Sequence, residues 1–213
     1  MIIESLAIGL PKKEIFNDKE IVTGICKVPV SGPFHLTKTG FEGDGVGDLK
    51  YHGGPHKAIC VYGKDHYPYW EKILGIKMPV AAFGENFSVS GLHEDDVCIG
   101  DIFRVGTAVV QVSQPRQPCK TLAARLGRAD MVQLVKDSGR TGFYLRVLEE
   151  GTVKKGDALA LKEKDAKGVT VSFANHTFYH DRGNCGAIEK VLTVSALSES
   201  WQRSFLKLIE ECK

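Results

Sequence analysis

The residues best able to do chemistry lie in Ser113-Gln114-Pro115-Arg116-Gln117-Pro118-Cys119. A strand-forming run, 107–112, leads into this stretch and a helix-forming run, 120–126, leaves it. Pro115 and Pro118 stiffen the connection and predict that it lies outside a sheet. Cys119 then falls at or just before the first turn of a helix, where free N–H groups and the positive end of the helix dipole favour an anion. Arg116 and Lys120 add formal positive charge. A thiol so placed loses its proton more readily than a free cysteine, which suits it to act as a nucleophile or a metal ligand. The opposing reading is a buried cysteine packed as a small hydrophobe. The polar, cationic flanks favour chemistry.

Further candidates lie upstream. The stretch 40–48, rich in Gly and Asp, predicts a loop whose backbone can approach a ligand closely. His52-Gly53-Gly54-Pro55 follows it, and Phe83-Gly84-Glu85-Asn86 forms a polar turn before an alternating segment, 87–92. Histidine as a residue type titrates near neutrality, which makes His52 a candidate proton donor. His56, His66, His176 and His180 fall in no motif and read as structural.

The elements that must position these groups are mostly short strands. The patterning predicts strands over 2–9 and 20–30, joined by a charged turn over 11–18, and further strands over 58–62, 102–105, 108–112, 143–148 and 158–161. Helices are predicted from a cap at Asp65 to Leu74, ended by Gly75, and over 130–138, ended by Gly139. Short strands without a strand–helix repeat point to a mainly β fold, a β-barrel with peripheral short helices. Polar residues 163–168 then read as a linker crossed by few contacts, dividing a barrel, 1–165, from a three-helix appendage, 166–213. In the appendage, Ser172 is the expected cap of a helix reaching Tyr179, and 187–192 is the second helix. Trp201, Phe205, Leu208, Ile209 and Cys212 form the apolar stripe of the third. Its aromatic residues exceed what three short helices can bury among themselves, so part of them must pack on the barrel or face a partner.

At 213 residues, 43% hydrophobic and 25% charged, the composition is that of an ordinary globular protein. A net charge of +2 and a pI near 8.2 give no reason to invoke nucleic acid. No apolar run is long enough to cross a bilayer, and no signal peptide opens the chain. The six cysteines, Cys26, Cys60, Cys98, Cys119, Cys185 and Cys212, share no zinc-like or redox spacing and are expected as reduced thiols in the cytoplasm.

Five motifs in order, Phe41-Glu42-Gly43-Asp44, His52-Gly53-Gly54-Pro55, Phe83-Gly84-Glu85-Asn86, Gly100-Asp101 and Gln114 to Cys119, resemble those of the MOSC domain. That module is found at the C-terminus of molybdenum-cofactor sulfurases. The segment from Val169, with Leu197-Ser198-Glu199-Ser200-Trp201, resembles the three helices that follow MOSC in the bacterial YiiM group. The resemblance implies a β-barrel that binds molybdenum on a pterin dithiolene, with Cys119 as the protein's sulfur ligand. It also implies reduction of N-hydroxylated compounds, such as hydroxylaminopurine bases, with electrons from a flavoprotein or similar donor. Under it Arg116, with Lys27 as a second charge, meets the pterin phosphate. Asp44, Asn86 and Gln114 bind the cofactor, and His52 binds it or protonates the leaving oxygen. A competing function is a carrier of cofactor or persulfide sulfur on Cys119 without turnover. A third is a cysteine hydrolase built on Cys119 and His52, for which no third group orients the histidine. The oligomeric state stays open.

Overall fold

The structure, a computed structural model, describes residues 1–48 and 52–212. In chain order the strands are β1 (Ile2–Ile8), β2 (Lys12–Phe16), β3 (Lys19–Thr23), β4 (Val28–Pro29), β5 (Phe34–Thr37), β6 (Gly40–Phe41), β7 (Ile59–Gly63), β8 (Phe87–Ser90), β9 (Ile102–Val105), β10 (Ala108–Pro115), β11 (Phe143–Glu149), β12 (Gly151–Val153) and β13 (Leu159–Glu163). The helices are α1 (Tyr67–Leu74), α2 (Lys120–Arg125), α3 (Met131–Ser138), α4 (Val171–Tyr179), α5 (Cys185–Leu192) and α6 (Glu199–Glu211). No helix among the described residues is long and apolar enough to cross a membrane.

The expected mainly β architecture is present. The main sheet runs β13-β9-β10-β11-β7-β8-β1-β4, antiparallel except where β7 pairs with β8. It curls until its two sides meet: Ile3 N–H donates to the Asp157 carbonyl and Leu159 N–H to the Met1 carbonyl, both at 3.0 Å. Alternation in β11 sends Phe143, Leu145 and Val147 inward, where they join Ile3, Leu6, Val61, Phe87 and Phe103 in the core. Each such buried side chain contributes about 1.5–3 kcal/mol.

Several elements depart from the expectation. Residues 11–18 are a strand and the tip of a β2–β3 hairpin, not a charged turn alone. Asn17 and Asp18 sit at φ 50° and 60°, a conformation these two side chains tolerate in tight hairpin turns. Asp65 caps no helix; its carboxylate accepts from Gly91 N–H, and α1 begins at Tyr67. β10 runs through Ser113 and Gln114 to Pro115, which pairs with Phe143 on β11. The proline is accommodated because β9 pairs only with residues 108–111, so the far side of β10 is open at Pro115.

The linker is bound, not loose. Asp165 N–H donates to buried Asp101 at 2.8 Å, Lys164 pairs with the same carboxylate at 3.3 Å, and Ile99 N–H reaches the Val169 carbonyl at 2.9 Å. Gly100 belongs to this junction, since a Cβ there would come within 2.3 Å of the Asp165 carboxylate. Thr170, not Ser172, caps α4 by accepting from Phe173 N–H. The aromatics of the appendage divide as expected: Trp201 and Phe205 are inaccessible and pack against half-buried Phe178, while Tyr179 reaches the barrel, where Lys136 of α3 lies over its ring and Gln117 hydrogen-bonds to its hydroxyl. Ile99 of the barrel completes that cluster, and Val171 of α4 inserts into the barrel core. One expectation for the thiols fails: Cys185, opening α5, is disulfide-bonded to Cys212 at the end of α6, and four cysteines are free.

Candidate functional site

A cavity of about 480 Å³ opens between the curled sheet, the β3–β4 connection and the loop after β6. Cys119 lies at its edge as the N-cap of α2, in extended conformation at φ −124°, as the Pro118-Cys119 sequence predicts. Burial alone would push this thiol up, but a hydrogen bond with His52, the charge of Arg116 and the Leu122 N–H outweigh it and bring the pKa down to about 7. Cys60, also lining the cavity, is fully buried and pushed up to about 11, so the two thiols differ sharply in ionisation.

Arg116 is the main fixed cation of the cavity wall, 4% exposed. The turn Phe83–Asn86 positions it. Buried Glu85 accepts from Phe83 N–H at 2.9 Å, from Ser88 Oγ at 2.9 Å and from the Tyr67 hydroxyl. Phe83 also stacks on Tyr62 with ring centroids 3.8 Å apart. The Phe83 carbonyl so fixed accepts from Arg116 Nη2 at 2.7 Å. Arg116 Nη1 is buried without a hydrogen-bond partner among the described residues. A buried, unsatisfied guanidinium nitrogen is costly unless an anion completes it.

Lys27, Asp44 and Asn86 come together in the lining of the same cavity. Asp44 Oδ1 takes Lys27 Nζ and, at 2.8 Å, Gly9 N–H, while Oδ2 takes Asn86 Nδ2 at 2.7 Å. Asn86 in turn accepts from Cys60 N–H at 3.0 Å and donates to the Ala7 carbonyl at 3.2 Å. The expected second free charge at Lys27 is therefore half of a buried ion pair, and Asn86 chiefly braces Asp44. The nearby glycines permit backbone-to-backbone contact: a Cβ on Gly24 would lie 2.2 Å from the Gly45 carbonyl oxygen. The close approach anticipated for this loop is thus made to the chain's own β3–β4 connection.

Gln114 is not part of the cavity lining. It is 1% exposed, donates to the Pro115 carbonyl at 3.3 Å and accepts from Ser200 Oγ of α6 at 3.3 Å. Its neighbours in sequence belong to the site, but its own amide is held by Ser200 of α6. Tyr144 was missed. It lines the cavity near Arg116 and Cys119, and burial holds its phenol well above the usual range. Its place on β11, paired with Gln114, is a matter of register that no local motif marks.

The MOSC domain family matches residues 48–160, and the YiiM-like, 3-alpha helix domain matches residues 169–211. YflK of Bacillus subtilis (strain 168) is 53% identical over 203 residues, covering 95% of this chain and 92% of that protein. A protein of Gibberella moniliformis (strain M3125 / FGSC 7600) named "Reductase" is 36% identical over 149 residues, 68% of this chain but 26% of its own length. Among solved structures, YiiM from Geobacillus stearothermophilus superposes with a TM-score of 0.83 at 38% identity, covering 98% of each chain.

Proposed function

Since the chain belongs to the MOSC family, with the YiiM-like helices after it, we propose that it is a molybdenum-cofactor-dependent reductase of N-hydroxylated compounds, hydroxylaminopurine bases among them. The observation that carries this reading is the pairing of a soft, readily ionised thiol with an anion-seeking arginine across one cavity. Cys119, with a pKa of about 7, is substantially thiolate at neutral pH despite its burial, which suits a molybdenum ligand. Arg116 Nη1, buried and unpartnered, fits a phosphate group such as the pterin carries. The cavity volume falls in the roughly 300–1,000 Å³ range of small-molecule sites. The Gibberella protein named a reductase supports an oxidoreductase reading.

When bound, the cofactor would supply the two-electron chemistry that breaks the N–O bond. The chain's own residues then bind and orient it: Cys119 as sulfur ligand, Arg116 at the phosphate, and the Lys27–Asp44–Asn86 network as a rigid wall. His52, hydrogen-bonded to Cys119, is the candidate proton donor beside the thiol. Electrons come from a partner reductase, a flavoprotein or its equivalent.

The test is expression in a cofactor-producing host, elemental analysis, and assay of hydroxylaminopurine reduction with a viologen reductant. Molybdenum at about one atom per chain with turnover is expected, and Cys119→Ser should lose both. Molybdenum without turnover would favour a cofactor carrier. The His52–Cys119 hydrogen bond also fits thiol hydrolysis, and iodoacetamide-sensitive hydrolysis by metal-free protein would replace the proposal with that reading.

A further inference from the structure

We infer that Asn175, on the first helix of the C-terminal segment, is a positioning residue for Arg116, so that the helical segment completes the thiol-bearing cavity. The connection is a continuous buried run of hydrogen bonds. Asn175 Nδ2 donates to Thr141 Oγ1 at 2.6 Å, Thr141 Oγ1 donates to the Gly142 carbonyl at 2.9 Å, and the same carbonyl accepts Arg116 N–H at 3.0 Å. Asn175, Thr141 and Arg116 are 3%, 0% and 4% exposed, so water does not compete for these groups.

Gly142 is the pivot. It holds φ +70°, and a Cβ there would lie 2.3 Å from the Val61 carbonyl oxygen, so only glycine fits. Its N–H is fixed separately by buried Glu94 at 2.8 Å, which in turn binds His66 Nε2 at 2.8 Å. Asn175 does not hold this place for stability alone, because its Oδ1 is buried without a partner among the described residues and an apolar residue would avoid that cost. What the amide adds is direction to the Thr141 hydroxyl. The helical segment also grips β10, the strand that leads into Arg116, at two further points. Ser198 N–H donates to the Ser113 carbonyl at 3.0 Å, and Ser200 Oγ donates to Gln114 Oε1 at 3.3 Å.

The experiment follows hydrogen exchange of the Arg116 amide in the full-length, metal-free chain, with amides of β9 as internal controls. Loss of the Thr141 hydroxyl in Thr141→Val, or of the amide in Asn175→Ala, should speed Arg116 exchange about tenfold while β9 is unchanged. Thr141→Ser, which keeps the hydroxyl, should restore the wild-type rate. Asn175→Ser serves as a milder variant if Asn175→Ala fails to fold. Unchanged Arg116 exchange in the folded variants, or an equal rise at Arg116 and throughout β9, would overturn the inference. Neither outcome depends on the identity of the cofactor, so this result and the reductase reading stand or fall separately.

Discussion

Arg116 gives one guanidinium nitrogen to the Phe83 carbonyl at 2.7 Å, and its Nη1 is buried without a hydrogen-bond partner of good geometry among the described residues. The first contact fixes the side chain, and the second nitrogen is the one that an anion would complete. Arg116→Lys retains charge but loses the planar fork, so cofactor content after gel filtration should fall while the fold persists. Arg116→Ala should weaken cofactor binding by about 1.5–3 kcal/mol and lower the melting temperature too, because the Phe83 carbonyl loses its donor. Cofactor content equal to wild type in Arg116→Ala would assign the arginine to the fold alone.

For metal-free protein, alkylation of Cys119 should rise with pH and reach half its maximum near 7, against about 8.5 for a free cysteine. The depressed value means the folded state favours the thiolate. That contribution to stability is full above the unfolded thiol's pKa and disappears as pH falls through about 7. His52→Ala removes the hydrogen bond that holds the thiolate, and its alkylation midpoint should move upward. Mass-spectrometric rates at Cys119 between pH 5.5 and 9.5, set at roughly half-unit steps to bracket both values, check each point.

Lys27 and Asp44 form an ion pair whose side chains are 6% and 10% exposed. Asp44→Asn leaves the lysine charge buried without its partner and should cost about 3–5 kcal/mol in urea unfolding. The double variant Lys27→Met with Asp44→Asn should recover much of that loss, which a double-mutant cycle measures. Additive losses would mean that the two side chains act independently.

The disulfide between Cys185 and Cys212 ties the start of α5 to the end of α6. Cys185→Ser should lower stability by about 2–4 kcal/mol. Thiol titration of unreduced, denatured protein should find the four free cysteines Cys26, Cys60, Cys98 and Cys119. A titration that finds all six free would remove the bond.

The helix-initiating thiol was legible because Pro118, Cys119 and the helix-forming run that follows act locally, and the glycine stops of α1 and α3 were local in the same way. The contacts that hold Arg116 in place were not. Phe83 meets Arg116 across 33 residues and Asn175 meets Thr141 across 34, and both contacts depend on strand register and helix docking. The contact of Gln114 with Ser200 of α6, across 86 residues, was out of reach of the sequence for the same reason. Asp165 shows how polarity misleads at a boundary, since a charged linker residue there donates its backbone N–H to a buried carboxylate. Cys185 and Cys212 lie 27 residues apart, and only the antiparallel packing of two helices brings them within 5.8 Å, Cα to Cα.

The closure of the sheet bears on how the chain acquires its fold. β1 precedes the rest of the sheet in the chain, yet the hydrogen bonds that seal its first residues come from Asp157 and Leu159. Until those residues emerge, the start of β1, beyond its pairing with β4, keeps unpaired backbone groups next to Ile3, a template for pairing with other chains. Contacts so distant in sequence place the protein among slow folders, on the order of milliseconds to seconds. Protection of the β1 amides in pulse-labelled refolding should therefore arrive last in the barrel, together with that of β13.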